Sequence, residues 1–105
     1  MPLQVIWTQS ALDDLSEILE EDYLDADGEY PLEKKAFYLA SLLETNPRMG
    51  EVFRPLGKPY RQLVVNAGFR LIYIIGESQV FIMRLVPTRK EFTRGWKERE
   101  RQRLP

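Results

Sequence analysis

Three apolar runs with two very short connections between them constrain the fold of this chain more than any other feature. The runs lie between Tyr60 and Val86 and are rich in Val, Ile, Leu, Phe and Tyr, the residue types that favour β-strands. The connections at 66–68 and 76–78 have the sequences Asn-Ala-Gly and Gly-Glu-Ser, which favour tight turns. Because such connections leave no room for a crossover helix, the runs are predicted to form an antiparallel meander.

Two amphipathic segments before the meander are predicted to form a helical hairpin. Ser10 is the predicted N-cap of the first helix, and Pro31 is the predicted first residue of the second. Residues 25–29 form the predicted turn between them, and Asn46-Pro47 ends the second helix, since the residue before proline disfavours helical geometry. Each segment carries an apolar stripe at helical spacing. The stripes consist of Ala11, Leu15, Ile18 and Leu19, and of Leu32, Ala36, Leu39, Ala40 and Leu43.

A short first strand and a loop complete the predicted fold. Residues 3–8 are typical of a strand that is too short to exist outside a sheet, and residues 48–59 are typical of a loop, with two prolines and two glycines. The prediction is an α+β fold in which the helical hairpin packs on a mainly antiparallel four-stranded sheet. Residues 1–105 are expected to form one domain, with 88–105 as a basic C-terminal extension.

Cysteine and histidine are both absent from the 105 residues, which limits the available chemistry. Without cysteine there is no disulfide, no thiolate zinc site and no cysteine nucleophile. Without histidine the commonest metal ligand and the usual proton shuttle at neutral pH are missing, so we expect neither a metal nor a cofactor. No N-terminal targeting segment is evident, and no apolar run approaches the roughly 20 residues that span a bilayer. We therefore expect a soluble cytoplasmic protein without membrane contact.

The net charge of −1 conceals a strong asymmetry between the two halves of the chain. Residues 1–51 contain 12 acids and 3 bases, whereas residues 52–105 contain 4 acids and 12 bases. This asymmetry indicates one acidic and one basic surface, and the basic one is compatible with a nucleic-acid partner. The acids are equally compatible with the solvated faces of the two helices.

Three arginines, Arg61, Arg70 and Arg84, lie within or at the edge of the predicted strands, where a charge needs a partner or a function. An ion pair to a helix and target binding are equally compatible with Arg70, whereas Arg84 favours a structural role. A regular hairpin at the 76–79 turn would place Arg70 and Arg84 on opposite faces of the sheet, and a one-residue bulge would place them on the same face. Tyr73 is predicted to be a core aromatic residue.

Several short motifs occur in the order strand, two helices, three strands. They consist of Trp7-Thr8, Ala11, Asp14-Leu15, Leu43, Pro47, Gly50, the segment Phe69-Arg70-Leu71-Ile72-Tyr73, and Arg89. In their order and spacing, from roughly residue 3 to residue 90, these motifs resemble the RelE/ParE superfamily of bacterial toxins.

The resemblance implies the toxin of a type II toxin–antitoxin system, a class associated with growth inhibition and plasmid stabilisation. Its partner would be an antitoxin encoded by an adjacent gene, and a toxin–antitoxin heterotetramer is one assembly that the family allows. RelE-like members cut messenger RNA on the ribosome, whereas ParE-like members poison DNA gyrase. The RelE-like reaction needs no metal, because basic side chains hold the scissile phosphate while the 2′-hydroxyl attacks it.

The resemblance also indicates candidate site residues. Arg70 matches a strand arginine of RelE-like toxins, and Arg89 matches an arginine just after their last strand. Both are catalytic candidates only if the protein is a ribonuclease. Arg61 falls where these toxins often carry a lysine, and together with Lys90 and Arg94 these arginines are predicted to bind RNA or another target.

Three positions depart from the RelE-like pattern. A further lysine position is Leu63 here, the late tyrosine is replaced by Gly95-Trp96, and the histidine near the end of the last strand is replaced by Pro87-Thr88. Glu51 and Glu91 are the carboxylates nearest the basic regions, and neither is a convincing general base. We therefore predict a ParE-like inhibitor of DNA gyrase. The alternatives are a RelE-like endoribonuclease and an inactivated relative that serves as a binding module.

Overall fold

A computed structural model describes residues 2–20, 32–66 and 68–105 of the chain. The described elements follow one another in this order: β1 (Gln4–Trp7), α1 (Gln9–Glu20), α2 (Leu32–Leu42), β2 (Glu51–Val52), β3 (Arg61–Val64), β4 (Phe69–Ile75), β5 (Gln79–Pro87) and α3 (Arg94–Arg101). None of the helices in these ranges is long and apolar enough to cross a membrane.

The strands form one sheet with the order β1-β5-β4-β3-β2. Strand β4 pairs antiparallel with both β3 and β5, which confirms the predicted meander. The first strand lies parallel to β5, from Gln4 beside Gln79 to Trp7 beside Ile82. The sheet therefore has five strands instead of the four predicted, because the two residues of β2 pair with β3 inside the segment that was predicted to be a loop.

Helices α1 and α2 cover one face of the sheet, as their apolar stripes predict. Their buried residues join the odd-numbered residues of β4 in a hairpin-side core. This core consists of Ala11, Leu15, Ile18, Leu32, Ala36, Ala40, Leu43, Val65, Phe69, Leu71, Tyr73, Val80, Ile82 and Leu85. Pro31 and the predicted turn at 25–29 lie outside the described residues.

The N-cap of α1 is Thr8, and the prediction of Ser10 for that position was wrong. The Thr8 hydroxyl accepts a hydrogen bond from the amide of Ala11 at 3.3 Å and donates one to the carbonyl of Ile82 at 2.8 Å. Thr8 thereby caps the helix and fixes its start against β5, a tertiary contact that local sequence does not reveal. Ser10 instead lies in the first turn, where its hydroxyl accepts a hydrogen bond from Arg103 at 2.6 Å.

Helix α3 covers the opposite face of the sheet. Thr93 is its N-cap, and the Thr93 side chain accepts a hydrogen bond from the amide of Trp96. The Tyr60 hydroxyl donates to the carbonyl of Glu100 at 3.1 Å and so attaches the helix to the loop before β3. The buried residues on this face form an α3-side core that consists of Phe53, Leu56, Tyr60, Ile72, Ile74, Met83, Val86 and Trp96.

A β-bulge between β4 and β5 determines which arginines share a face. Tyr73 pairs with Ile82 and Ile72 pairs with Arg84, so that Met83 is the additional residue. Of the two registers considered from the sequence, the bulged one is present. Arg70 and Arg84 consequently both lie against aromatic rings on the α3 side of the sheet.

Arg84 connects α1 to α3 at the open end of β5, the residues after Ile82 with which β1 does not pair. Its Nε and Nη2 donate to the carboxylate of Asp14 at 2.6 and 2.8 Å, and its Nη1 donates to Glu100. The same Asp14 carboxylate accepts a hydrogen bond from the amide of Leu85 at 3.0 Å. The hydrogen bonds that Arg84 donates to Asp14 raise the pKa of Arg84 above its ordinary value. The predicted structural role of Arg84 is consistent with these contacts.

We expect Asp14→Asn to lower the free energy of unfolding by about 2–3 kcal/mol, because it leaves the charge of Arg84 partly uncompensated in an environment with little water. The Asp14 and Glu100 side chains are only 13% and 1% exposed. The control is Arg94→Gln, which breaks the solvent-exposed pair of Arg94 with Glu98 and should cost no more than about 0.5 kcal/mol. Urea denaturation measures both variants. Equal losses in the two would contradict the structural importance of the buried cluster.

Candidate functional site

Arg70, one of the two catalytic candidates from the sequence, is engaged in contacts within the protein. Its Nη1 donates to Gln62 at 2.8 Å and its Nη2 to the carbonyl of Thr88 at 3.4 Å. Its guanidinium carbon lies 5.2 Å from the ring centre of Phe53 and 5.0 Å from that of Phe92, within the range of cation–π attraction. Burial lowers the pKa of Arg70 below its usual value, without bringing it near neutral pH.

Arg61 lies on the opposite face of the sheet from Arg70. It is paired with Tyr73, whereas Arg70 is paired with Val64, so the alternation of side chains along β3 and β4 separates the two arginines. The Nε and Nη2 of Arg61 donate to the carbonyl of Gly50 at 3.2 and 2.7 Å. Two of the predicted site residues are thus not brought together.

Tyr73 supports the same loop from the core, as its prediction as a core aromatic implies. Its hydroxyl donates to the carbonyl of Pro47 at 2.7 Å and accepts from the amide of Gly50 at 3.0 Å. A Cβ atom at Gly50 would lie 2.2 Å from the carbonyl oxygen of Gln62, so only glycine fits this approach. Arg61 and Tyr73 therefore both fix the loop that carries Gly50.

The remaining predicted residues lie on the segment that follows β5 and at the start of α3. Arg89 is exposed, and its side chain has no hydrogen-bond or ion-pair partner among the described residues. Lys90 is partly buried, with its Nζ 5.9 Å from the ring centre of Trp96. Arg94 forms an exposed pair with Glu98 at 3.1 Å. Of these three cations, Arg89 is the exposed one without a partner in the described ranges.

The two carboxylates considered as general bases are both exposed. Glu51 accepts a hydrogen bond from the Gln62 amide at 2.8 Å, and Gln62 in turn holds Arg70. Glu51 thus helps to position Arg70 through Gln62. The Gln62 amide between them does not transfer protons as an imidazole does. No group of three or more acidic side chains able to hold a metal ion occurs in the described ranges.

A groove of about 290 Å³ lies between α1 and the C-terminal end of β5, the part of β5 that extends beyond β1. Its lining combines two acids and two bases with apolar side chains, a mixture suited to a peptide segment. The lining residues are Asp14, Glu17, Ile18, Phe69, Arg84, Leu85, Val86, Pro87 and Lys90. The sequence did not indicate Asp14 and Glu17 as lining residues of a groove, because acids on these helices are equally compatible with a solvated helix face.

Three solved structures share this arrangement of helices and strands. A chain of the DinJ-YafQ toxin–antitoxin complex from E. coli matches with a TM-score of 0.64 and 16% identity, covering 83% of this chain and 93% of that one. A chain of the chromosomal ParDE toxin–antitoxin system from P. aeruginosa matches with a TM-score of 0.62 and 17% identity, covering 81% and 95%. A copper-bound mutant toxin from Helicobacter pylori matches with a TM-score of 0.58 and 15% identity, covering 82% and 94%.

These likenesses show that the protein has the RelE/ParE-type toxin fold. Residues 5–92 also match the family model described as the ParE toxin of the type II toxin–antitoxin system parDE. The chain therefore belongs to this family, and the resemblance noted from its sequence is confirmed. A comparison with curated protein sequences finds no match.

We expect Arg70→Lys to lower the free energy of unfolding by about 1–3 kcal/mol. Lysine retains the charge, but it cannot keep both hydrogen bonds or present a flat group to two rings. Arg89→Lys is the matched control and should change stability by less than about 0.5 kcal/mol, because Arg89 is exposed. Urea denaturation of both variants provides the measurement. A loss confined to Arg89→Lys would contradict the structural role of Arg70.

Proposed function

We propose that this toxin inhibits DNA gyrase, as ParE-like toxins do. The observation that carries the proposal is the placement of Arg61 and Arg70 on opposite faces of the sheet. A metal-independent ribonuclease needs several basic groups that converge on one scissile phosphate. Two arginines on opposite faces cannot hold the same phosphate, and the ring contacts of Arg70 leave little of its guanidinium for a substrate.

The lack of an obvious proton acceptor supports the same choice. In-line attack by a 2′-hydroxyl requires a group that removes its proton within hydrogen-bond reach. The sequence contains no histidine, and the exposed Glu51 is hydrogen-bonded to the side chain that positions Arg70. Inhibition of gyrase by binding requires no such group, and exposed cations such as Arg89 and Arg94 are sufficient for a contact with a protein–DNA complex.

Production of the chain in bacteria without its antitoxin should cause double-strand breaks and induce the DNA-damage response, while messenger RNA stays intact. In vitro, the purified chain should inhibit DNA supercoiling by gyrase. Arg89→Gln should weaken this inhibition about three- to tenfold, since it removes one exposed charge from the contact. The readouts are gel assays of plasmid topology and mapping of RNA ends.

Lys34→Gln is the matched control for this experiment, because Lys34 is an exposed cation on α2 outside the basic half. Its inhibition of supercoiling should equal that of the unmodified chain. Cleaved messenger RNA with intact DNA would contradict the proposal and indicate the RelE-like alternative. Absence of any growth defect would indicate an inactivated relative.

We also propose that an antitoxin from the adjacent gene binds the groove between α1 and β5. The open end of β5 and the apolar residues Ile18 and Leu85 in the groove can accept anchors from a partner. A disordered acidic tail that folds on binding would suit the basic half of the chain, residues 54–103. A heterotetramer of two toxins and two antitoxins is one such assembly, and mass determination in solution distinguishes it from a heterodimer.

The rate of association with this antitoxin should fall by about tenfold as salt rises from about 0.02 M to about 0.5 M, because added ions screen the attraction between exposed charges. The dissociation rate should change little, since buried apolar contacts govern it. Stopped-flow binding measures both rates. The double variant Arg89→Gln with Arg94→Gln should show a weaker dependence on salt, and Lys34→Gln should not. Association that is independent of salt would contradict steering by the basic half.

A further inference from the structure

A second cleft, of about 270 Å³, lies where the loop before β2 meets β3 and the end of β4. Three of its lining residues are cationic and none is acidic, in contrast to the groove beside α1. The lining residues are Arg48, Val52, Lys58, Pro59, Tyr60, Arg61 and Ile75. Arg48 and Lys58 were not among the residues predicted from the sequence.

The charges of this cleft lack a counter-ion among the described residues. The Arg48 and Lys58 side chains are exposed and have no ion-pair or hydrogen-bond partner in the described ranges. The nearby carboxylate of Glu51 accepts a hydrogen bond from Gln62 instead. Side chains alternate along a strand, and Val52, the next residue, lines the cleft, so the Glu51 side chain lies on the opposite face of the sheet. Three like charges in one cleft attract an anion.

Arg61 is already oriented for such an anion. Carbonyl oxygens of the preceding loop hold its Nε and Nη2, with Gly50 at 3.2 and 2.7 Å and Arg48 at 3.3 Å. The two hydrogens on Nη1 have no partner among the described residues, so one edge of a fixed guanidinium remains for a ligand. A guanidinium held in this way loses little conformational freedom when it binds an oxyanion.

We propose that this cleft is a phosphate-binding site that takes a backbone phosphate of a polynucleotide. A phosphate offers several oxygens to three cations at once, whereas a carboxylate offers two. The ring of Tyr60 is buried, and its hydroxyl is bound to Glu100, so the cleft provides no exposed ring on which a base could stack. The site therefore binds the phosphate without reading the sequence. This inference does not depend on whether gyrase or the ribosome is the target.

The test is a titration of the full chain, freed from its antitoxin, with sodium phosphate and with sodium acetate at equal ionic strength. The backbone amide signals of Arg48, Lys58, Tyr60 and Arg61 are followed by NMR. Phosphate should shift these signals saturably, and acetate should not. Lys58→Gln should weaken phosphate binding about three- to tenfold, whereas Lys34→Gln, which removes the same charge from an exposed position on α2, should leave it unchanged.

A second titration uses a 12-nucleotide single-stranded DNA and a nucleoside monophosphate. Tighter binding of the DNA, with a salt slope that decreases by about 0.7 in Lys58→Gln, identifies a polynucleotide backbone as the ligand. Equal affinities for the two identify a free phosphate or nucleotide in the same site. The proposal is overturned if acetate produces the same shifts as phosphate, or if Lys58→Gln and Lys34→Gln behave alike with both ligands.

Discussion

The ion cluster at Arg84 links α1 and α3, the helices on the two faces of the sheet, and so fixes their positions relative to β5. Asp14 belongs to α1 on the hairpin side and Glu100 belongs to α3 on the other side, and one guanidinium binds both carboxylates at the open end of β5. Arg103 adds a second cation, 3.3 Å from the Glu100 carboxylate. Buried charges of this kind are tolerated because each has opposite charges and hydrogen bonds around it. Removal of one charged member would leave an opposite charge without its partner, at a position where little water is available to solvate it.

The β-bulge is what makes this cluster possible. Without the additional residue at Met83, strict alternation would direct Arg84 into the hairpin-side core, whose described members are all uncharged. With it, Arg84 reaches Glu100 and Asp14 around the strand edge. Arg70 lies on the same α3 side, between Phe53 and Phe92, through the regular alternation of β4. The bulge therefore brings Arg84 to the face of the sheet on which Arg70 already lies.

The elements that the sequence predicts well are those that depend on local pattern. The meander follows from apolar runs and short turns, and the helix stripes follow from spacing. What it does not predict depends on contacts between distant segments. Thr8 becomes the N-cap because its hydroxyl also reaches β5, and Glu51–Val52 becomes a strand because β3 offers it an edge. The pattern of residues suggested a bulge only as one of two registers, since both satisfy the same alternation over most of the hairpin.

The candidate site illustrates the same limit for charged residues. The sequence places 12 bases in residues 52–105, and by charge alone they are equivalent. The fold divides them. Arg70 and Arg84 are held by protein side chains, and Arg61 is held by carbonyl oxygens through its Nε and Nη2 only, while Lys58 and Arg89 remain exposed without a partner in the described ranges. A cation whose N–H groups all have partners gains little from a ligand, whereas one with open N–H groups gains the full attraction. Recognition of target or partner is therefore expected from the loops at the margins of the sheet and from the open edge of Arg61, whereas Arg70 and Arg84 chiefly keep the adjoining segments and helices in place.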